Sequence, residues 1–273
     1  MNRFWKMVAT CLTGLASYHP ALANDTTHAP LSADALSTRP SAGESLWLEA
    51  AGRKFPALYR EAITKETRGG VILLHRLNAS PDAKDILQPL RSRLPERGWN
   101  SLALQTPSRE AGADWQGHRA LLPEAVERIR AGVAYLQAQE SDPIALVGYE
   151  SGALMVLHYL AEAADRTVIG AAIIDPPVTG VAEQDEASLA DLGKINVPLL
   201  DILSTRKGAL SSEAVQTRKR IMKNNNGYRQ IAIANPDSGL RDVEDLLINR
   251  IQGWLVRILP PAQKPARAPL PRR

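Results

Sequence analysis

The stretch LVGYESGAL, residues 146–154, sets a carboxylate and a hydroxyl side by side between two glycines. A short apolar run, Ile144 to Val147, leads into Gly148-Tyr149-Glu150-Ser151-Gly152, and a helix-like stretch follows. Strand, tight turn and helix in that order form the G-x-S-x-G layout of a nucleophile elbow, whose strained turn exposes one side chain. The tip should be serine. Here it is Glu150, and the serine stands one place later. As a nucleophile, Glu150 would form an ester intermediate that a base-activated water must then hydrolyse. Ser151 occupies the position whose backbone N–H normally serves an oxyanion hole, so its side chain is expected to point away from the tip. A third reading gives Glu150 no chemistry: the N–H groups and dipole at a helix start favour a carboxylate there without catalysis.

The elements that must position these residues follow a repeating theme. SLWLE (45–49) and FPALYR (55–60), split by Ala51-Gly52-Arg53-Lys54, predict an antiparallel hairpin. GVILLH (70–75) is a continuous apolar run, as expected of a strand buried on both faces. An amphipathic helix is expected over 85–97, stopped by Gly98, and a strand over 100–105. A helix over 123–139 carries Val126, Ile129, Val133 and Leu136 at helical spacing. Then come the strand 143–147, the helix 151–164 and strands over 168–174 and 197–203. A basic helix over 211–224, a strand over 228–234 and a closing helix over 240–259 complete the series. No element is expected between Asp175 and Val197, and no lid-sized insertion lies there. Arg218, Lys219 and Arg220 read as a solvated helix face; Trp254 and Ile258 read as core. Strands alternating with helices imply a mostly parallel sheet with helices on both faces.

Ligands of such sheets bind at the carboxyl ends of the strands. The residues expected there are His75 and Arg76, Gln105 and Thr106, Tyr149 and Glu150, Asp175, and Ser204-Thr205. Arg76, Gln105, Tyr149 and Asp175 are therefore candidate binding residues. Asp201 falls inside an apolar strand and needs a partner if buried.

The hairpin, the VILLH strand, the LPERGWNSLAL passage and the elbow stand in the order of the α/β-hydrolase superfamily, which the chain resembles over about residues 45–259. LLHRLNASPD, LPERGWNSLALQTP and LVGYESGA further resemble a family of exported bacterial α/β-hydrolase-like proteins of unknown function. The resemblance implies an α/β fold: a mostly parallel, eight-stranded, hydrolase-like sheet with an N-terminal antiparallel hairpin. It also implies a triad in the order serine, acid, histidine, with the histidine after the last strand. The chain departs from that pattern. Its five histidines are His19, His28, His75, His118 and His158, and the loop after the last strand, ANPDSGL (234–240), has none. The turn Thr205-Arg206-Lys207-Gly208 offers no carboxylate, and Arg76 stands where relatives often have a glycine beside the oxyanion hole.

A base from elsewhere is the remaining route to chemistry. His75 is the candidate, because neighbouring strand ends converge near Glu150, and a carboxylate neighbour raises a histidine's pKa. The same pair is as readily structural. His118, in a loop, reads as solvated, and His158, seven residues after Ser151, as packed or capped. Glu150, Asp175 and His75 match no metal motif, and no metal or cofactor is expected.

Composition bounds the remaining choices. The chain has 273 residues, 44% hydrophobic, with a formal charge of +4. Arg3 and Lys6 lie in the first 23 residues, and Lys264, Arg267, Arg272 and Arg273 in the last 14, leaving −2 for residues 24–259. A nucleic-acid binder carries its basic face on the folded body, so none is expected here. Arg3 and Lys6, an apolar run from Met7 to Ala16 and the Ala21-Leu22-Ala23 site predict a signal peptide over 1–23, cleaved after Ala23. That run is shorter than the ~20 residues a bilayer span needs. The only cysteine, Cys11, lies in that segment, so the mature chain has no thiol. A polar leader (24–44) and a Pro- and Arg-rich tail (260–273) flank the folded domain (45–259), and the tail is expected to be disordered.

The sequence thus favours an exported, hydrolase-like protein in the periplasm or outside the cell. Its site is degenerate, and its role is to bind an unidentified small molecule or envelope component. The alternatives are a divergent ester hydrolase using Glu150 with a base such as His75, and a scaffold with a vestigial pocket and an active tail.

Overall fold

The computed structural model describes residues 43–108, 119–163, 167–177, 182–205, 212–234 and 243–259. Among them an eight-stranded sheet runs in the order β1-β2-β4-β3-β5-β6-β7-β8. β1 (Glu44–Ala50) and β2 (Arg53–Arg60) form the expected hairpin, closed by Ala51 and Gly52, both at positive φ. That turn matches the right-handed twist of the strands it joins. β2 pairs antiparallel with β4 (Trp99–Leu104); β3 (Gly69–Leu74), β5 (Ile144–Tyr149), β6 (Val168–Ile174), β7 (Leu199–Thr205) and β8 (Arg229–Ala234) continue in parallel.

β3 shows why its apolar run is unbroken. Ile72 and Leu74 face one helical layer, built on α2 (Leu122–Ala138) and α3 (Ser151–Glu162). Val71 and Leu73 face the other, built on α1 (Leu87–Arg93) and α6 (Glu244–Ile258). All six residues of the strand are buried, as a central parallel strand requires. α1 is shorter than expected: after Leu94 the chain tightens into a 3-10 turn, Pro95–Arg97, which Gly98 ends at φ 87°. No helix of the described residues is long and apolar enough to cross a membrane. The signal segment and tail lie outside the described residues, as does the leader up to residue 42.

Two expectations need correction. The stretch between β6 and β7 holds a helix, α4 (Ala182–Lys194), packed on α3. Its only leucines, Leu189 and Leu192, bury a stripe too narrow to stand out as a helical period. Arg218, on α5 (Ser212–Ile221), is not on a solvated face but buried. It donates to Asp201 Oδ1 at 3.3 Å, while the Tyr228 hydroxyl and Gln230 Nε2 donate to Oδ2 at 2.7 and 3.2 Å. The partner that Asp201 needs thus comes from α5, and its other oxygen is filled by Tyr228 and Gln230 at the edge of the sheet.

Removing one member of a buried pair leaves the other charge uncompensated, at a cost of about 3 kcal/mol. Arg218→Ala should lower unfolding free energy by that order in a urea titration. Lys219→Ala, on the exposed side of the same helix, should change it by less than about 0.5 kcal/mol.

Candidate functional site

β5 delivers Glu150 to the carboxyl edge of the sheet with its backbone at φ 49°, ψ −117°. That region is strained for any residue with a side chain and persists where surrounding contacts enforce it. Here the Glu150 N–H donates to the Ile174 carbonyl at 2.9 Å, and the Glu150 carbonyl accepts from the Ala153 N–H at 2.9 Å. The flanking glycines are compelled by space. A Cβ at Gly148 would lie 2.5 Å from the Gly152 carbonyl oxygen, and one at Gly152 would lie 2.3 Å from that of Leu74. The elbow read from the sequence is therefore formed, with Glu150 at its tip.

Ser151 opens α3, and its hydroxyl accepts the backbone N–H of Leu77 at 2.6 Å. In a working elbow, the amide after the tip and an amide from the loop after β3 together form the oxyanion hole. Leu77 belongs to that loop, and its amide is taken by the Ser151 side chain. The hydroxyl is engaged with that loop, a contact the sequence did not foresee. Asp82, from the LLHRLNASPD stretch, pairs with buried Arg91 of α1 and fixes the far end of the same loop.

His75 is 1% exposed, with both ring nitrogens committed to backbone. Nδ1 donates to the Arg76 carbonyl at 2.7 Å, and Nε2 accepts the Thr106 N–H at 3.1 Å. The imidazole ties the ends of β3 and β4 together and is turned to Arg76 and Thr106 rather than to Glu150. Burial pushes its pKa down to about 4; the bond to the Arg76 carbonyl opposes this, and the charges of Arg128 and Arg76 reinforce it. It is neutral at neutral pH, with no nitrogen free to take a proton.

Around Glu150 the structure gathers acids instead. The Tyr149 hydroxyl faces the Glu150 carboxylate closely enough for that carboxylate to act on it. Burial, then the charge of and hydrogen bond to Glu150, then Asp85 and Asp175 hold that phenol well above its ordinary value, so it remains a donor. Asp85, which the sequence did not mark, receives the Leu87 N–H at 3.0 Å and lies 3.8 Å from Arg76 Nε. Burial raises its pKa, the Leu87 and Arg76 contacts lower it, and the Glu150 charge raises it again. Asp175 also stands at positive φ, 45°, and accepts the Ser204 N–H at 2.6 Å and hydroxyl at 2.5 Å. Gln105 is buried below the neighbouring strand end, where Arg128 donates to its carbonyl at 2.6 Å. His75, Glu150 and Asp175 do not bring ligand atoms together closely enough to share an ion. A cavity of about 670 Å³ lies at the opposite, amino end of β4, beside Trp99, Arg68 and Gln252, far from this chemistry. His118 and the loop 235–242 lie outside the described residues.

An eight-stranded, mostly parallel sheet with a strained elbow after β5 defines an α/β-hydrolase-like protein. The sheet matches an esterase from Pyrococcus furiosus with a TM-score of 0.65, at 18% identity over 80% of this chain and 92% of that one. It matches an α/β serine hydrolase without a lid from Xanthomonas campestris with a TM-score of 0.61, at 15% identity over 81% and 97%. An α/β serine hydrolase homologue from Coxiella burnetii gives 0.56, at 15% identity over 82% and 100%. No curated protein matches the sequence. The chain belongs to the family described as a protein of unknown function (DUF3530), which matches residues 16–125 and 108–257.

Three measurements test this geometry. Glu150→Gly should raise unfolding free energy by about 1 kcal/mol, because glycine relieves the strain at φ 49° and only part of that gain is lost to its looser unfolded chain. Gly152→Ala, with its Cβ forced onto the Leu74 carbonyl, should leave little soluble folded protein. Between pH 6.5 and about 4 the unfolded His75 binds a proton that the folded one refuses, so stability falls as pH drops through this window. The loss reaches about 3 kcal/mol, and His75→Gln should flatten that part of the curve in denaturation series at fixed pH.

Proposed function

We propose that this is an exported, non-catalytic binding protein of the cell envelope, built on a hydrolase frame and using the strand-end site around Glu150. The observation that carries the reading is the hydrogen bond from the Leu77 amide to the Ser151 hydroxyl. It consumes a donor that acyl-transfer chemistry would aim at a developing oxyanion. Two further facts support it. His75, the histidine beside the elbow, has both nitrogens engaged. The tip residue is itself an acid, with Asp85 and Asp175 close enough to raise the Tyr149 phenol. Such a site repels an anionic intermediate and favours a ligand that brings hydrogen-bond donors or positive charge.

The competing reading, an ester hydrolase with a carboxylate nucleophile, draws on the same strained φ at Glu150, since strain of this kind gathers at functional sites. Acyl esters of short and medium chain length, offered to the full chain and to Glu150→Gln, separate the two. The binding reading expects hydrolysis at the buffer rate for both proteins. Turnover by the native chain that disappears in Glu150→Gln would overturn it. A thermal-shift series with amines and carboxylates should then stabilise the native chain with amines, and the shift should shrink in Glu150→Gln.

A further inference from the structure

α3 carries a second group of chemically capable side chains, two turns and more beyond the elbow. His158 and Glu162 are four residues apart on α3 and so share a face. Asp191 comes from α4, packed alongside. One donor atom from each of the three lies within 4.8 Å of the others. His158 Nδ1 is 2.9 Å from Asp191 Oδ2, in a hydrogen bond. The three side chains line a cavity of about 290 Å³, with Leu122, Leu154 and Leu157 among its apolar walls.

This molecule already places a cation at that point. The Lys194 ammonium is 3.4 Å from Asp191 Oδ1 and 3.6 Å from Glu162 Oε1. Both contacts are longer than a good charge-assisted hydrogen bond, and the lysine side chain is half exposed. The ammonium is a tethered counter-charge at the edge of solvent.

We infer that His158, Glu162 and Asp191 form a divalent transition-metal site of the one-imidazole, two-carboxylate type, with zinc its natural probe, and that Lys194 guards it. Zinc takes imidazole nitrogen and carboxylate oxygen at about 2.0–2.2 Å in a tetrahedron, whose ligand atoms stand roughly 3.4 Å apart. From 2.9 Å, the His158–Asp191 pair needs to open by only a fraction of an ångström, while Glu162, whose oxygen lies within 4.8 Å of both, swings in to complete the set. The ion takes the place of the proton between His158 and Asp191, which passes to Nε2 of the neutral imidazole or, from an imidazolium, to solvent, and it displaces the Lys194 ammonium. The cavity leaves the fourth position open to water or to a small ligand, the condition that separates reactive from purely structural zinc sites. The site is independent of the elbow and stands or falls separately from the binding role proposed there.

The test is calorimetric titration of the untagged, EDTA-treated full chain with zinc chloride, beside His158→Gln, Asp191→Asn and Lys194→Met. The native chain should bind one ion per molecule. His158→Gln and Asp191→Asn should each weaken binding at least tenfold, and Lys194→Met, which removes the competing ammonium and no ligand, should tighten it severalfold. Thermal unfolding of each variant without metal establishes that it is folded. No binding by the native chain, binding unchanged in His158→Gln, or a Lys194→Met variant that binds no more tightly than native would each overturn the site.

Discussion

The turn after β5 is folded so tightly, onto the start of α3 and against the end of β3, that neither flanking position can hold a side chain. Gly152 lies beneath the Leu74 and His75 carbonyls, and Gly148 beneath the backbone of residues 152 and 153. This closeness forces Glu150 into its strained conformation and aims it out of the sheet. It also brings the Ser151 hydroxyl within reach of the Leu77 amide. The arrangement at the site follows from these two close approaches: which residue is presented, which amide is consumed, and where α3 begins. A fold that keeps this contact keeps the elbow whatever chemistry the tip residue can perform.

Keeping an elbow is not keeping a catalyst. The frame shared with esterases supplies a strained tip and an amide pair; reactivity also requires a base and a vacant oxyanion hole. Here the residues nearest those roles have taken on structural work. His75, anchored on the carbonyl of Arg76, joins the end of β3 to that of β4 through the Thr106 N–H, and its low pKa is the consequence of that burial. Ser151 joins α3 to the loop after β3. Asp175, at the neighbouring strand end, is held by both hydrogen-bonding groups of Ser204. Residues of catalytic type can thus hold the strand ends in place by the same hydrogen-bonding capacity that elsewhere moves protons.

How much of this was legible in the sequence depended on how local its cause was. The sheet and most helices follow from apolar runs and glycine stops. Even the elbow was readable, because its glycines and apolar flanks sit within ten residues. The fate of His75 was not, since Thr106 is 31 residues away and its amide leaves no mark in the sequence. Arg218 was misread for the same reason: helical periodicity says which face an arginine occupies, but not that a buried aspartate waits opposite. α4 escaped because it buries little more than two leucines. Asp85 went unmarked because its importance lies in its distance to Glu150 and Arg76, which only the fold sets.

Fold similarity cannot decide between these uses, because a likeness near 18% identity speaks for the backbone alone. What decides is the charge the site presents. An oxyanion site is a patch of unpaired donors, and its ligand is an acceptor that becomes more negative as it reacts. The site here has reversed that sign. One amide donor is satisfied internally, a carboxylate occupies the tip, and two more acids stand nearby, with Arg76 set against Asp85. The elbow still exposes its residue and the helix start still supports a negative charge there. In the binding role proposed above, that carboxylate calls for a ligand that supplies the positive partner.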